Sequence, residues 1–182
     1  MSRFDEIKQL LMKSSLGARA CVDGFRELKG SENIDDLSKV GVKHFFFAVE
    51  NGILTPDVVR EINHPDFRVN EDVTDGFVIV TEDFGVTASG NSFAVVLNGE
   101  LDARDNTQVL ALGGITNSWD DSLVTAKNES EVNAKGFSKV YALDNSKVYA
   151  EYNSYIIKRS DSAEVTRIDE TATIVERLLK DE

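Results

Sequence analysis

Between residues 122 and 158 the chain repeats one eight-residue phrase: a small hydroxyl residue, a spacer, an aliphatic residue, a spacer, then alanine. It reads Ser122-x-Val124-x-Ala126, Ser130-x-Val132-x-Ala134, Ser138-x-Val140-x-Ala142, Ser146-x-Val148-x-Ala150 and finally Ser154-x-Ile156. A short fixed period of this kind builds stacked, nearly identical units, each of which buries its apolar face only against its neighbours. Side chains of an extended segment alternate between faces, so Val140 and Ala142 point inward and Tyr141 outward. The core is therefore narrow. The hydroxyl residue sits where it can bond backbone at a corner. Turns such as Leu143-Asp144-Asn145 and Glu151-Tyr152-Asn153 supply residues that tolerate left-handed backbone. Two octads per coil would give a flattened coil of sixteen residues, and three a triangular one of twenty-four. The small Val/Ala interior favours the first.

Weaker echoes of the phrase occur at Leu101-x-Ala103, at Thr107-x-Val109-x-Ala111 and at Val86-x-Ala88. After Ile156 the spacing lengthens through Val165 and Ile174, which marks the end of the regular coil. No proline follows Pro65. That suits a stack in which every coil donates backbone N–H groups to the next, because proline has none to give.

Residues 1–65 carry a helical period instead. Phe4, Ile7, Leu10 and Leu11 share one helix face, and the helix ends at Ser14-Ser15-Leu16-Gly17. Cys21, Phe25 and Leu28 mark a second helix that stops at Lys29-Gly30. Asn33 caps a third over about 34–51, and Thr55 with Pro56 opens a short fourth. The expected organisation is a helical N-terminal domain over 1–65, strand-rich entry coils over 66–100, an octad-repeat solenoid over 101–168 and a C-terminal capping helix over 169–182. Ile174, Val175, Leu178 and Leu179 would form the apolar stripe of that last helix. The fold class is α+β: a small helical segment, a short parallel β-solenoid (β-helix) and a capping helix.

The octad resembles the octapeptide and sixteen-residue repeats of β-solenoid proteins, of which the bacterial ice-nucleation proteins are the best known. It is also similar to repeats in proteins of gut bacteria and their phages, where a helical segment precedes them. The resemblance covers roughly residues 101–165 and implies a fold rather than an activity. Ice-binding solenoids present Thr-x-Thr ladders, whereas the outward residues here are Thr125, Asn133, Tyr141, Tyr149 and Ile157. Ice binding is disfavoured.

The net charge of −12 is unevenly spread. Residues 1–65 hold nine Lys/Arg and ten Asp/Glu, leaving 11 and 22 for residues 66–182. A region so acidic repels phosphate, which argues against direct nucleic-acid binding. The longest apolar runs, such as Phe45-Phe46-Phe47-Ala48-Val49, are far short of the roughly 20 residues that span a bilayer. The start lacks a secretory pattern, so a cytoplasmic location is expected.

No catalytic signature, phosphate-cradling loop, dinucleotide fingerprint or paired-cysteine metal site is present. No cofactor and no metal are expected. Cys21 reads as an inert thiol in a buried helix position. A nucleophile would need a base, and neither His44 nor His64 lies in a nucleophile signature. Two surface features stand out. The segment Gly113–Asp121 interrupts the octads and holds Trp119, the only tryptophan, beside Asp120 and Asp121. Tyr141, Tyr149, Tyr152 and Tyr155, interleaved with Lys139, Lys147, Lys158 and Arg159, suit a protein contact. The expected function is a non-catalytic protein-binding module with a rigid acidic surface. A sharper form is a phage or mobile-element inhibitor that imitates nucleic acid toward a basic nucleic-acid-binding protein. The alternative is a structural assembly protein, a homo-oligomer such as a trimeric fibre or virion component.

Overall fold

The computed structural model describes residues 2–82 and 85–178. By internal contacts the chain divides into two compact units, Met1–Val69 and Asn70–Glu182.

The first unit contains α1 (Arg3–Gly17), α2 (Val22–Gly30), α3 (Ile34–Lys43), α4 (Phe45–Glu50), α5 (Pro56–Ile62) and the short strand β1 (Phe67–Val69). The helix starts follow local chemistry. Ser2 and Asp5 form a reciprocal capping box on α1, the Asn33 side chain accepts the Asp36 N–H, and Thr55 accepts the Val58 N–H ahead of Pro56. Ile7, Leu11, Leu28, Leu37, Phe45, Val49, Leu54 and Ile62 are buried.

Two expectations fail in this unit. The third helix is two, because the backbone leaves the helical path at His44, with φ −116° and ψ 22°. Cys21 is not inside α2. It is the exposed N-cap residue, its backbone extended and its Sγ accepting the Gly24 N–H at 3.3 Å. The apolar spacing of Cys21, Phe25 and Leu28 runs one residue past the true helix start, and a thiol can cap where a hydroxyl usually does.

The second unit is a parallel β-solenoid of about six turns. Its strands are β2 (Val73–Thr74), β3 (Phe77–Val80), β4 (Val86–Ser89), β5 (Phe93–Val96), β6 (Glu100–Ala103), β7 (Gln108–Ala111) and β8 (Ile115–Ser118). Then come β9 (Leu123–Ala126), β10 (Glu131–Ala134), β11 (Lys139–Ala142), β12 (Lys147–Ala150), β13 (Tyr155–Lys158), β14 (Glu164–Arg167) and β15 (Thr173–Glu176). Within this unit the odd-numbered strands from β3 to β15 form one sheet and the even-numbered strands from β2 to β14 the other. Successive octads therefore alternate between sheets, and two octads make a coil. In register, Leu123 faces Lys139 and Lys139 faces Tyr155, a coil of sixteen residues.

The coil length is not uniform. Val86 pairs with Leu101 and Val109 with Val124, fifteen apart, whereas Lys147 pairs with Glu164 and Tyr155 with Thr173, seventeen and eighteen apart. The entry coils are thus turns of the same solenoid. Their Val78, Val80, Val86, Ala88, Ala94 and Val96 continue the column of Val124, Ala126, Val140 and Ala142 in one core, all at 2% exposure or less.

The segment Gly113–Asp121 is also regular. It contains β8, which pairs with β6 and β10 and brings Thr116 and Ser118 to the inward positions that valine and alanine hold elsewhere. The glycines before it belong to a turn type that ends there. Gly99 and Gly114, at φ +87° and +66°, lie directly before β6 and β8. A Cβ on Gly114 would fall 2.8 Å from the Gly99 nitrogen and nearer still to its carbonyl oxygen. From the next coil on, the left-handed residue moves earlier in the turn, to Asn128 and Asp144.

The expected C-terminal helix does not form over the described residues. Thr173–Glu176 is a strand paired to β13, Leu178 follows it, and Leu179 lies outside the described residues. Three β-branched residues in a row, Thr173, Ile174 and Val175, favour the strand. The edge is instead blunted by charge. Lys158, Arg167 and Glu176 occupy the register positions of the core alanines Ala142 and Ala150, and Lys158 Nζ lies 3.7 Å from Glu176 Oε1. Charged side chains on edge strands are a known guard against edge-to-edge pairing.

Candidate functional site

The third-position columns of the two sheets differ in chemistry. On the even-strand sheet one column runs Thr87, Asp102, Asn117, Asn133, Tyr149, Thr166. Its middle is a side-chain ladder. Asn133 Nδ2 donates to Asn117 Oδ1 at 2.9 Å, and Asn117 Nδ2 donates to Asp102 Oδ1 at 3.0 Å and Glu100 Oε1 at 2.7 Å. On the odd-strand sheet the matching column runs Ile79, Val95, Leu110, Thr125, Tyr141, Ile157, Val175. Beside it Phe77 and Phe93 stack with ring centroids 5.0 Å apart. One column is a polar ladder and the other a nearly continuous apolar stripe, in which Ile79, Val95, Leu110 and Ile157 are buried and Tyr141 is half-buried.

The four tyrosines consequently do not share a surface. Tyr141 and Tyr155 lie on the odd-strand sheet, Tyr149 lies on the opposite one, and Tyr152 sits exposed in a corner at φ +47°. The eight-residue period itself separates Tyr141 from Tyr149. Around Tyr141 the charge is positive: Lys139 Nζ stands 5.0 Å and the Arg159 guanidinium 5.5 Å from its ring centre. Lys139, with a smaller contribution from Arg159, holds the Tyr141 phenol below its ordinary pKa.

Trp119 is exposed at the corner after β8, with Lys135 Nζ 4.8 Å from its ring centre and reaching Glu151 at 4.0 Å on its other side. Asp120 is a corner residue at φ +53° whose Oδ2 accepts the Asp105 N–H at 3.4 Å, and Asp121 is exposed. The same arrangement recurs along the stack. Asp105 accepts from Gly90 at 2.9 Å, Asp144 from Asn128 at 3.2 Å and Asp169 from Tyr152 at 2.8 Å. Thr171 bonds, with the Tyr152 N–H after them, keep the Asp169 carboxyl below its usual pKa. These acids tie each corner to the corner one coil earlier. Among the described residues no group of three or more His, Cys, Asp and Glu could hold a metal ion, and no helix is long and apolar enough to cross a membrane.

A second constellation lies in the helical unit, and no sequence signal points to it. Cys21 Sγ and His44 Nε2 both stand 3.3 Å from where a Cβ on Gly24 would be, so their separation is at most twice that distance. His44 Nε2 lies 3.4 Å from Glu27 Oε2, and Lys43 donates to Glu27 Oε1. Lys43 first, then His44, holds the Glu27 carboxyl below its usual pKa. Cys21 and His44 also line an apolar cavity with Leu11, Leu28, Phe47 and Leu54. The three groups come from a helix start, a helix middle and a break between helices, which only the tertiary fold brings together. Comparison with protein-family models, with curated proteins and with solved structures gives no match to this chain.

Proposed function

We propose that the solenoid is a protein-binding module, acting in the cytoplasm through the outer face of its odd-strand sheet. The observation that carries this reading is the half-buried Tyr141 on that sheet, flanked by Lys139 and Arg159 on an otherwise strongly acidic unit. Aromatic residues flanked by arginine are typical of contact cores. The matching partner is a protein surface that combines apolar side chains with carboxylates. Imitation of nucleic acid by a phage or mobile-element inhibitor has less support, because Asp105, Asp120, Asp144 and Asp169 use carboxylate oxygens to hold the backbone of the corner one coil earlier. The resemblance to ice-nucleation octads bears on the scaffold only, since neither outward column is a threonine ladder.

The test is affinity capture from a bacterial lysate with the full chain and two variants, followed by sedimentation of each. Capture of a defined protein that is lost in Lys139→Glu/Tyr141→Ala and kept in Tyr149→Ala supports the reading. Equal capture by both variants overturns it, as does self-association through the odd-strand face, which would make the chain an assembly protein.

A further inference from the structure

We propose that one edge of the solenoid is a docking ridge for an extended arginine- and lysine-rich segment of a partner protein. The ridge is the row of corners that follow β8, β10, β12 and β14. It is a different surface from the odd-strand face and does not depend on the reading of that face.

The four corners begin Trp119-Asp120-Asp121, Lys135-Gly136-Phe137, Glu151-Tyr152-Asn153 and Ile168-Asp169-Glu170. Backbone bonds stack them, since the Lys135 N–H donates to the Ser118 carbonyl, the Glu151 N–H to Ala134 and the Ile168 N–H to Ala150. Trp119, Phe137, Tyr152 and Ile168 therefore climb one edge, one to a coil, at about 4.8 Å per step. They are 36%, 69%, 57% and 54% exposed. The coil itself does not require them. The corners after β9, β11 and β13, built from the same repeat on the opposite edge, hold no aromatic residue and no exposed large apolar one. Tyr152 stands at φ +47°, where the corner one coil earlier has Gly136 at +64°. A bulky side chain is a poor choice for left-handed backbone, so the turn does not account for it either. Exposed apolar side chains lined up on a rigid scaffold mark a contact.

The charge beside the row selects the partner. The same four corners carry five carboxylates, Asp120, Asp121, Glu151, Asp169 and Glu170, against the single cation Lys135. Lys135 itself displays the binding mode. Its Nζ is held 4.8 Å from the Trp119 ring centre and 4.0 Å from Glu151 Oε1, one ammonium between an aromatic face and a carboxylate. Among the described residues no cation stands over Phe137 or Tyr152. Asp121 takes the corner position of Phe137 one coil earlier, and Asp169, whose Oδ2 accepts the Tyr152 N–H at 2.8 Å, follows Tyr152 one coil later. A guanidinium or ammonium laid on either ring thus meets a carboxylate, as Lys135 does. Nucleic acid and anionic lipid are repelled by the same acids, whereas the long Lys and Arg side chains of an extended segment can reach successive rings.

The experiment titrates the full chain with an octa-arginine peptide at low and at physiological salt, with calorimetry and the fluorescence of Trp119, the only tryptophan, as readouts. Saturable binding that weakens with salt is expected. Phe137→Ser/Tyr152→Asn, which leaves the net charge at −12, should lower the affinity about fivefold or more at both salt levels. At physiological salt Asp121→Asn/Glu170→Gln should weaken binding, while the matched pair Glu129→Gln/Asp161→Asn on the opposite edge and Tyr141→Ala on the odd-strand face should stay within twofold of the parent chain. Far-UV circular dichroism confirms that each variant is folded. An aromatic variant within twofold of the parent chain means attraction by charge alone and overturns the proposal. Equal losses in the two acid-pair variants overturn it too, as does absence of saturable binding, or a response to cellohexaose or phosphatidylcholine vesicles without one to the peptide.

Discussion

Replacing Ser138 by alanine should stabilise the solenoid, although the serine is among the most regular features of the repeat. Ser122, Ser138 and Ser154 stand one above the other before β9, β11 and β13, and all are fully buried. At the equivalent place one coil earlier, the Thr107 hydroxyl donates to the carbonyls of Arg104 at 2.6 Å and Ala88 at 3.1 Å. The hydroxyls of Ser138 and Ser154 have no hydrogen-bond partner among the described residues. In the last turn the corner positions before β14 and β15 are filled by Ala163 and Ala172, at 2% and 3% exposure. The site therefore demands small volume rather than an oxygen. A buried unpaired hydroxyl costs about 1–3 kcal/mol, and losing the oxygen's packing returns part of that, which leaves a net gain of roughly 1 kcal/mol for Ser138→Ala. Ser138→Val adds bulk where stacked coils leave none, and overpacking costs about 1–3 kcal/mol. At Thr107 the order reverses, because alanine there loses made hydrogen bonds worth about 0.5–1.5 kcal/mol each. Urea denaturation of the full chain, followed by far-UV circular dichroism, gives these differences directly. A loss of more than about 0.5 kcal/mol in Ser138→Ala would refute the reasoning.

Gly114→Ala should cost several times the ~1 kcal/mol typical of a point mutation, because both the positive φ and the neighbouring Gly99 backbone exclude a Cβ. Gly30→Ala, at a helix end with open space around it, should instead gain up to about 1 kcal/mol in the same assay. The Asp169 carboxyl has a lowered pKa in the folded chain, so its stabilising contribution is complete above the unfolded value near 3.9 and is lost as pH falls through the folded one. Asp169→Asn should flatten that part of an acid titration followed by fluorescence. Lys158→Val/Glu176→Ala, which removes this charge pair from the last two strands of the odd-strand sheet, should convert a discrete species into higher assemblies in sedimentation velocity.

What the sequence made legible follows from which residues act locally. The coil of two octads, the inward Val and Ala positions and the caps Asn33 and Thr55 each depend on neighbours a few residues away, and all stand as expected. The early turns were harder to read because Phe77-Val78-Ile79-Val80 is apolar on both faces, which hides the alternation. The last strand was obscured by Lys158 and Glu176, charges at positions where the repeat calls for alanine. Trp119 and the tyrosines were visible as residues, but their faces depend on which sheet an octad enters. The approach of Cys21 to His44 is a product of three helices packing and leaves no mark in the sequence.

The alternation of octads between sheets has a consequence for how such a chain can change length. Loss or gain of sixteen residues removes or adds one whole turn and leaves every later side chain on its own face. Loss of a single octad keeps the Val and Ala columns intact, so the chain still folds, yet it sends every strand downstream to the opposite sheet. The polar ladder and the apolar stripe would then exchange places part-way along the stack. Replication slippage in steps of one octad is thus silent to the core and drastic for the surface, and selection on the surface alone would keep the octads counted in pairs.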